Sequence, residues 1–298
     1  MSERTRWIPL EGAVNARDLG GLPTVDGRVI RRGRVLRADN LQGLTVTDVR
    51  VLLDDYDLKN VIDLRSDAEV RLEGPGPLAR VPSVRLHHLS LFAEGGRHTD
   101  AAADQPPPPA SDPSAPSAQP DPSAQPDPSA RPAASAPGVD IDKVLPWQSR
   151  PGGGQHEDRS IGFYLGYLRD RADSIVAALR VMARTDGSAL VHCAAGKDRT
   201  GVVCALALEV AGTTREAIVA DYAASGERIE AILARLRASD TYAADIDSRP
   251  ADSHHPHAVI MEKFLARVDE ELGGTAAWLA GHGWTDEDTE ALRARLLD

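Results

Sequence analysis

Residues 191–201 (VHCAAGKDRTG) bring a cysteine, a glycine and an arginine into one short stretch spaced for chemistry on an anion. The apolar residues 188–192 (SALVH) lead into the cysteine, and an apolar run over residues 201–211 follows, so the pattern predicts a buried strand, a tight loop and a buried helix. In such a turn the backbone around Ala194, Ala195, Gly196, Lys197 and Asp198 directs its N–H groups at one point, where the helix dipole adds its positive end. That field holds an oxyanion, and it favours the thiolate form of Cys193 as well. Gly196 lets the chain turn inward without a Cβ. Arg199 offers a planar fork that matches two phosphate oxygens. Thr200 is expected to donate its hydroxyl to the sulfur, and His192 to orient the loop by hydrogen bonding rather than carry a proton. Lys197 places a second cation at the pocket floor, which suits ligands with more than one phosphate. Cys204 falls inside the apolar helix and is expected to pack.

Strands alternating with helices position this loop. Residues 27–37 (GRVIRRGRVLR) are expected to form a strand or short hairpin, residues 60–64 (NVIDL) a buried strand, and residues 84–91 (VRLHHLSL) a further strand that turns at most one of His87 and His88 to the core. Thr45 is a candidate N-cap for a helix through Asp54, with Val46, Val49, Leu52 and Leu53 at helical spacing. Residues 161–183 carry a helical stripe through Phe163, Leu165, Leu168, Ile175, Leu179 and Met182. Beyond Thr214 the chain reads as helix with breaks at residues 241–256 and 272–274, its apolar stripes including Ile218, Tyr222, Ile229 and Leu233. The fold expected is α/β: a mostly parallel central sheet flanked by helices, with a helical C-terminal part.

The 298 residues read as a single domain, 1–298, interrupted at about 100–140 by a tract rich in proline, alanine and serine. Twelve of the 21 prolines fall between Pro106 and Pro137, and the hexad PSAQPD occurs twice. Such a tract has little to bury and is expected to stay extended and mobile. A net charge of −11 disfavours a nucleic-acid partner. No run approaches the length of a membrane span, and no secretory signal is visible at the N-terminus. Two cysteines make no disulfide framework, so a cytoplasmic location is the expectation, with export by a route lacking a signal peptide left open. His254, His255 and His257 (SHHPH) read as a chance cluster in a loop rather than a metal site.

HCAAGKDRTG resembles the signature of cysteine-dependent protein tyrosine phosphatases. Lys197 and Asp198 ahead of Arg199 are similar to one branch of them, the bacterial tyrosine and phosphoinositide phosphatases of the mycobacterial secreted type. Residues 15–21 (NARDLGG), 61–69 (VIDLRSDAE) and 268–297 resemble the same branch, so the likeness covers most of residues 7–298 outside the proline-rich tract. The resemblance implies a phosphatase fold with no cofactor and no metal. It implies phosphoprotein or phosphoinositide substrates, a Cys193 nucleophile that forms a phosphocysteine, and Arg199 with the loop amides holding the phosphoryl oxygens. It also implies an acid for the leaving oxygen, and places Arg17, Asp18 and Arg65 near the site. No Trp-Pro-Asp triplet is present; Asp140 and Asp142 stand near Pro146 and Trp147. Asp63, at the end of an apolar strand expected beside the loop strand, ranks first as the acid, with pairing to Arg65 as its competing role. Asp198, inside the loop, ranks second. The resemblance also implies that helices beyond Thr214 can cover the active site as a lid. Two other readings stay open: a phosphate-binding module without catalysis, and a sulfurtransferase of the rhodanese type.

Overall fold

The computed structural model describes residues 6–93, 156–247 and 251–298. The proline-rich tract, Asp140, Asp142 and Trp147 lie outside the described residues. Five strands make one sheet: β1 (Arg17–Asp18), β2 (Val35–Ala38), β3 (Leu58–Asp63), β4 (Arg85–His88) and β5 (Ser188–His192). Their spatial order is β1-β2-β5-β3-β4, with β2, β5, β3 and β4 parallel and β1 antiparallel at one edge. The α/β architecture expected from the sequence is the one observed. The strand before the cysteine takes the central position, and all five of its residues are buried, which is why Ala189, Leu190 and Val191 are apolar in succession rather than alternating.

Register then decides what meets at the site. His192 lies opposite Ala38 on one side and Asp63 on the other, and Asp63 lies opposite His88. The carboxyl ends of four strands therefore share one edge, the edge on which ligands bind in open parallel sheets. Alternation along the strands feeds two cores. Ile62 and Val191 face a large cluster with Leu179, Val202 and Phe264, while Val61 and Leu190 face a smaller one with Leu36, Leu52 and Leu58.

The described helices are α1 (Val46–Arg50), α2 (Asp67–Glu73), α3 (His156–Asp170), α4 (Ala172–Arg184), α5 (Asp198–Ala211), α6 (Arg215–Ala223), α7 (Ile229–Arg237), α8 (Ala243–Asp247), α9 (Ala258–Leu272), α10 (Thr275–Gly281) and α11 (Asp286–Leu296). Thr45 caps α1 in a capping box with Asp48, and the expected helix continues to Asp55 as a wider π turn. The single helix expected over residues 161–183 is two. Arg171 breaks it, because its buried guanidinium turns back to Asp173, Ser174 and the Phe92 carbonyl at 3.1 Å. The buried stripe of α3 keeps Leu168 of the expected one and adds Ile161, Tyr164 and Tyr167, whereas Phe163 and Leu165 are only partly buried.

Behind the loop that follows β5, three arginines converge on one carboxylate. Arg6 Nη1, Arg17 Nε and Arg37 Nη1 lie 2.7, 3.1 and 2.6 Å from Asp221 on α6. Burial opposes ionisation of Asp221, but Arg17, Arg37 and Arg6 outweigh it and hold the carboxyl well below the usual range. Arg17 and Arg37 are fully buried, so losing their partner strands two charges. Asp221→Ala is expected to cost about 3–5 kcal/mol in urea unfolding, and Arg6→Ala, on the partly exposed member, less than about 1 kcal/mol. Equal effects would show that the cluster is not organised around the carboxylate.

Candidate active site

The loop from Cys193 to Asp198 owes its shape to partners behind it. Asn40 N–H donates to the Ala194 carbonyl at 2.9 Å. Asn15 Nδ2 donates to the Ala195 carbonyl at 2.9 Å, and Arg37 Nη2 to the Gly196 carbonyl at 2.7 Å. A trans peptide sets each N–H opposite its carbonyl, so anchoring these oxygens behind the loop turns the N–H groups of Ala195, Gly196 and Lys197 forward. Asn15 is in turn fixed by Asp39, which accepts its N–H at 3.0 Å, and its side-chain oxygen accepts from Arg17 at 2.5 Å. Gly196 has φ +65°, and a Cβ there would sit 2.4 Å from the Ala38 carbonyl oxygen, so only glycine fits. Arg17, expected near the site, is thus buried behind the loop. Asp18 accepts from Gly20 and Gly33 N–H at 2.8 and 2.9 Å and fixes a turn.

Arg199 is buried and makes a two-pronged ion pair with Glu69: Nη1 to Oε2 at 2.6 Å and Nη2 to Oε1 at 2.9 Å. Its guanidinium also lies 5.1 Å from the centre of the Phe92 ring. Glu69 is fully buried, and Ser66 N–H donates to its Oε2 at 2.8 Å. Burial works against the charge of Glu69, yet Arg199 outweighs it and holds the carboxyl below its ordinary range. Glu69 is the residue that reading the sequence for chemistry missed. The signal was present as the capping box Ser66-x-x-Glu69 that starts α2.

The two acid candidates end up in different places. Asp63 does lie on the strand beside β5, but its carboxylate is bound by Arg65 through Nε at 2.9 Å and Nη2 at 2.6 Å, and His192 Nε2 is 3.6 Å away. Burial opposes its ionisation, while His192 and Arg65 hold it far below the usual range. Asp63 is not among the cavity walls described below, and its carboxylate makes the pairing with Arg65 that competes with the role ranked first. Asp198 does line the cavity. Its Oδ1 accepts a short hydrogen bond from the Tyr164 hydroxyl, and its Oδ2 lies 3.5 Å from Lys197 Nζ. Burial raises its proton affinity, but Lys197 and the Tyr164 hydrogen bond bring the carboxyl below its ordinary range.

Three further expectations change. Lys197 lines the cavity, but its ammonium donates to the His254 carbonyl at 2.7 Å instead of standing free at the floor. The Thr200 hydroxyl is buried with no hydrogen-bond partner among the described residues, the Cys193 sulfur included. Arg65 is buried against Asp63. His192 Nδ1 is 3.3 Å from the Cys193 carbonyl, and burial above all pushes the ring's pKa down to about 4. Burial likewise pushes the Cys204 thiol up to about 12, in keeping with a packing role. His254 is buried and bonded to the Ile246 carbonyl at 3.1 Å, and no group of three metal-ligating side chains occurs among the described residues.

Cys193, Ala194, Ala195, Lys197, Asp198 and Arg199 open on a cavity of about 280 Å³. Phe163, Tyr164 and Tyr167 form one side; Ile229, Ile232, Leu233 and Leu236 of α7 and Tyr242 form the other. A sulfur at the end of a central parallel strand and an arginine six positions on, with a glycine-turned loop between them, therefore meet at one cavity. Comparisons with known proteins give the family. A family model described as the tyrosine phosphatase family matches residues 8–298. A tyrosine-protein phosphatase of Nostoc commune is 33% identical over 129 residues, 39% of this chain and 42% of that protein. The triple specificity protein phosphatase PtpB of Mycobacterium tuberculosis is 31% identical over 281 residues, 94% of this chain and 88% of that protein. The chain belongs to the tyrosine phosphatase family, whose reaction class is phosphoric monoester hydrolysis. Family membership sets aside the sulfurtransferase reading. Among the described residues no helix is long and apolar enough to cross a membrane.

Two predictions follow from these contacts. Glu69→Gln keeps the shape but leaves Arg199 without its counter-charge; kcat/KM on an aryl phosphate is expected to fall by about 10- to 100-fold. Unchanged kinetics would show that Glu69 does not position the guanidinium. The second concerns His192, whose pKa is lower folded than unfolded. Between pH 6.5 and about 4 the unfolded chain therefore binds a proton that the native one refuses, and stability falls as pH falls through that window. Urea midpoints at pH 7 and pH 5 are expected to differ less in His192→Asn than in the wild type; an equal loss would assign the pH dependence elsewhere.

Proposed function

We propose that the chain hydrolyses phosphomonoesters, phosphotyrosine foremost, through a phosphocysteine on Cys193. The observation that carries this reading is that Cys193, Asp198 and Arg199 wall the same cavity at the carboxyl end of the central strand. The thiolate attacks phosphorus as the bond to the leaving oxygen breaks, and Asp198 gives that oxygen its proton. Water then attacks the phosphocysteine and passes a proton to Asp198; the P–S bond breaks, releasing inorganic phosphate and restoring the thiolate. Arg199 and the forward-turned amides hold the three remaining oxygens throughout. Asp198 must be protonated for the first step. The incoming phosphate supplies the negative charge that raises its proton affinity.

The walls suit an aromatic ester, since Tyr164, Tyr167 and Phe163 flank the opening. A range extending to phosphoserine, phosphothreonine and phosphoinositides is supported by likeness along almost the whole chain to a relative named for triple specificity. A phosphoinositide with a second phosphate would need Lys197 to release the His254 carbonyl. Both cysteines are unpaired, which supports work in a reducing compartment such as the cytoplasm.

Cys193→Ser is expected to lower turnover of p-nitrophenyl phosphate by at least about 1,000-fold; near-wild-type turnover would refute a phosphocysteine on Cys193. Asp198→Asn is expected to slow phenyl phosphate, a poor leaving group, by about 100-fold and p-nitrophenyl phosphate much less. Asp63→Asn should leave the ratio of those two rates at its wild-type value. The opposite pattern would return the acid role to Asp63.

A further inference from the structure

Asp198 is the one catalytic candidate whose carboxyl is reached by a side chain from distant helices. Tyr164 on α3 donates its hydroxyl hydrogen to Asp198 Oδ1, and the Tyr222 oxygen on α6 is 2.8 Å from the Tyr164 oxygen. A phenol has one hydrogen. With that of Tyr164 committed to Asp198, the contact between the two tyrosines must be filled by the hydrogen of Tyr222. The chain therefore runs in one direction: Tyr222 to Tyr164 to Oδ1.

We propose that Tyr164, backed by Tyr222, is a positioning residue that saturates Oδ1 of Asp198, so that the transferable proton resides on Oδ2. This inference rests on Asp198 being the proton donor. Both rings are fixed in place. Tyr164 packs with centroid distances of 6.1, 6.4 and 5.7 Å against Tyr167, Tyr222 and Phe264. Tyr222 backs onto Gly201, where a Cβ would sit 2.9 Å from the ring. Burial raises the pKa of both phenols, so both keep their hydrogens across the working range. Oδ2 is left facing Lys197 at 3.5 Å. A proton on Oδ1 instead would have to point at Tyr164, away from the leaving oxygen, and would require both tyrosine hydrogens to turn round.

The arrangement has a signature in pH. The charged and titratable groups facing Asp198 are Lys197 in the loop, Arg199 on its own helix, Tyr164 and Tyr167 on α3, and Tyr222 on α6. Cys193, Arg159, Asp245 and His254 share the same cavity walls. Of the tyrosines, Tyr164 alone donates to the carboxyl, and a donor to the ionised form lowers a carboxyl's pKa. Removing it raises the pKa, so protonated Asp198 persists to higher pH.

The test is the pH profile of kcat/KM for phenyl phosphate in the wild type, Tyr164→Phe, Tyr222→Phe and Asp198→Asn. The position of a limb does not depend on the fraction of protein that is folded, so loss of stability leaves it readable. In Tyr164→Phe the alkaline limb is expected to move to higher pH while the plateau falls about tenfold through lost orientation. In Tyr222→Phe the limb should move the same way by a smaller amount. Limbs unmoved in both tyrosine variants, with Asp198→Asn slow on phenyl phosphate, would overturn the role of the tyrosines alone. Undiminished turnover of phenyl phosphate by Asp198→Asn would overturn the acid assignment, and this inference with it.

Discussion

A loop that aims its amide hydrogens at one point must dispose of its carbonyl oxygens on the other side. Each peptide carries both groups rigidly opposed, and a buried carbonyl without a donor costs as much as a lost hydrogen bond. In this chain the Ala194, Ala195 and Gly196 oxygens are taken by Asn40, Asn15 and Arg37. None of these donors is near the loop in sequence, and two of them are themselves held by charges, Asn15 by Arg17 and Asp39, and Arg37 by Asp221. The β1–β2 edge of the sheet, which carries no chemistry itself, is there to deliver that layer. A trio of arginines on one aspartate is costly to bury. Its return is a loop whose amides are oriented before any anion arrives, which is where electrostatic catalysis gains most.

Helix α6 ties the two halves of the site together. Asp221 and Tyr222 are consecutive, so their side chains leave the helix about 100° apart. One reaches the arginines behind the loop; the other reaches Tyr164 and through it Asp198. The loop and the Asp198 carboxyl therefore share one support, and a shift of α6 would move both together. Arg199 is tied to a different support, α2, through Glu69. Cys193 and Asp198 sit at the sheet edge and on the helix that follows it. The guanidinium is held by a carboxylate on another helix, Glu69 of α2.

What could be read in advance follows the range of the interactions. The strand at Ser188–His192, the loop and the helix after it were readable because the signal is local: an apolar run, a glycine, a run of buried residues. The parallel neighbour ending in Asp63 was readable for the same reason. Asp63 carries two readings in the sequence, acid and partner of Arg65, and the contact with Arg65, two residues on, is the one the structure contains. Glu69 was hidden as an ordinary helix cap, since nothing in the sequence ties it to a guanidinium 130 residues later. Tyr164 falls outside the apolar stripe legible in the sequence, because Phe163 and Leu165 flank it on either side while only Leu168 of that stripe on α3 lies on the buried face. The break at Arg171 depends on a carbonyl at Phe92, beyond the reach of any periodicity.

The charge balance of the cavity explains how so acidic a chain, with net charge −11, holds an anion at all. Arg199 is already paired with Glu69, and Lys197 stands beside Asp198 and gives its hydrogen bond to a carbonyl. Neither cation is surplus. Attraction for a phosphate then draws on dipoles as well as on charge: the forward amides, and the amino end of α5, which begins at Asp198. Dipoles act over a few ångströms and fall off faster than charges, so the rest of the surface can be acidic without cancelling them. They also discriminate by shape, since only an anion seated in the loop meets them all. The ion pair of Arg199 with Glu69 fits this logic. It keeps the guanidinium oriented at no cost in unpaired buried charge, and the oxygens of a seated phosphoryl group are met by a guanidinium already in place.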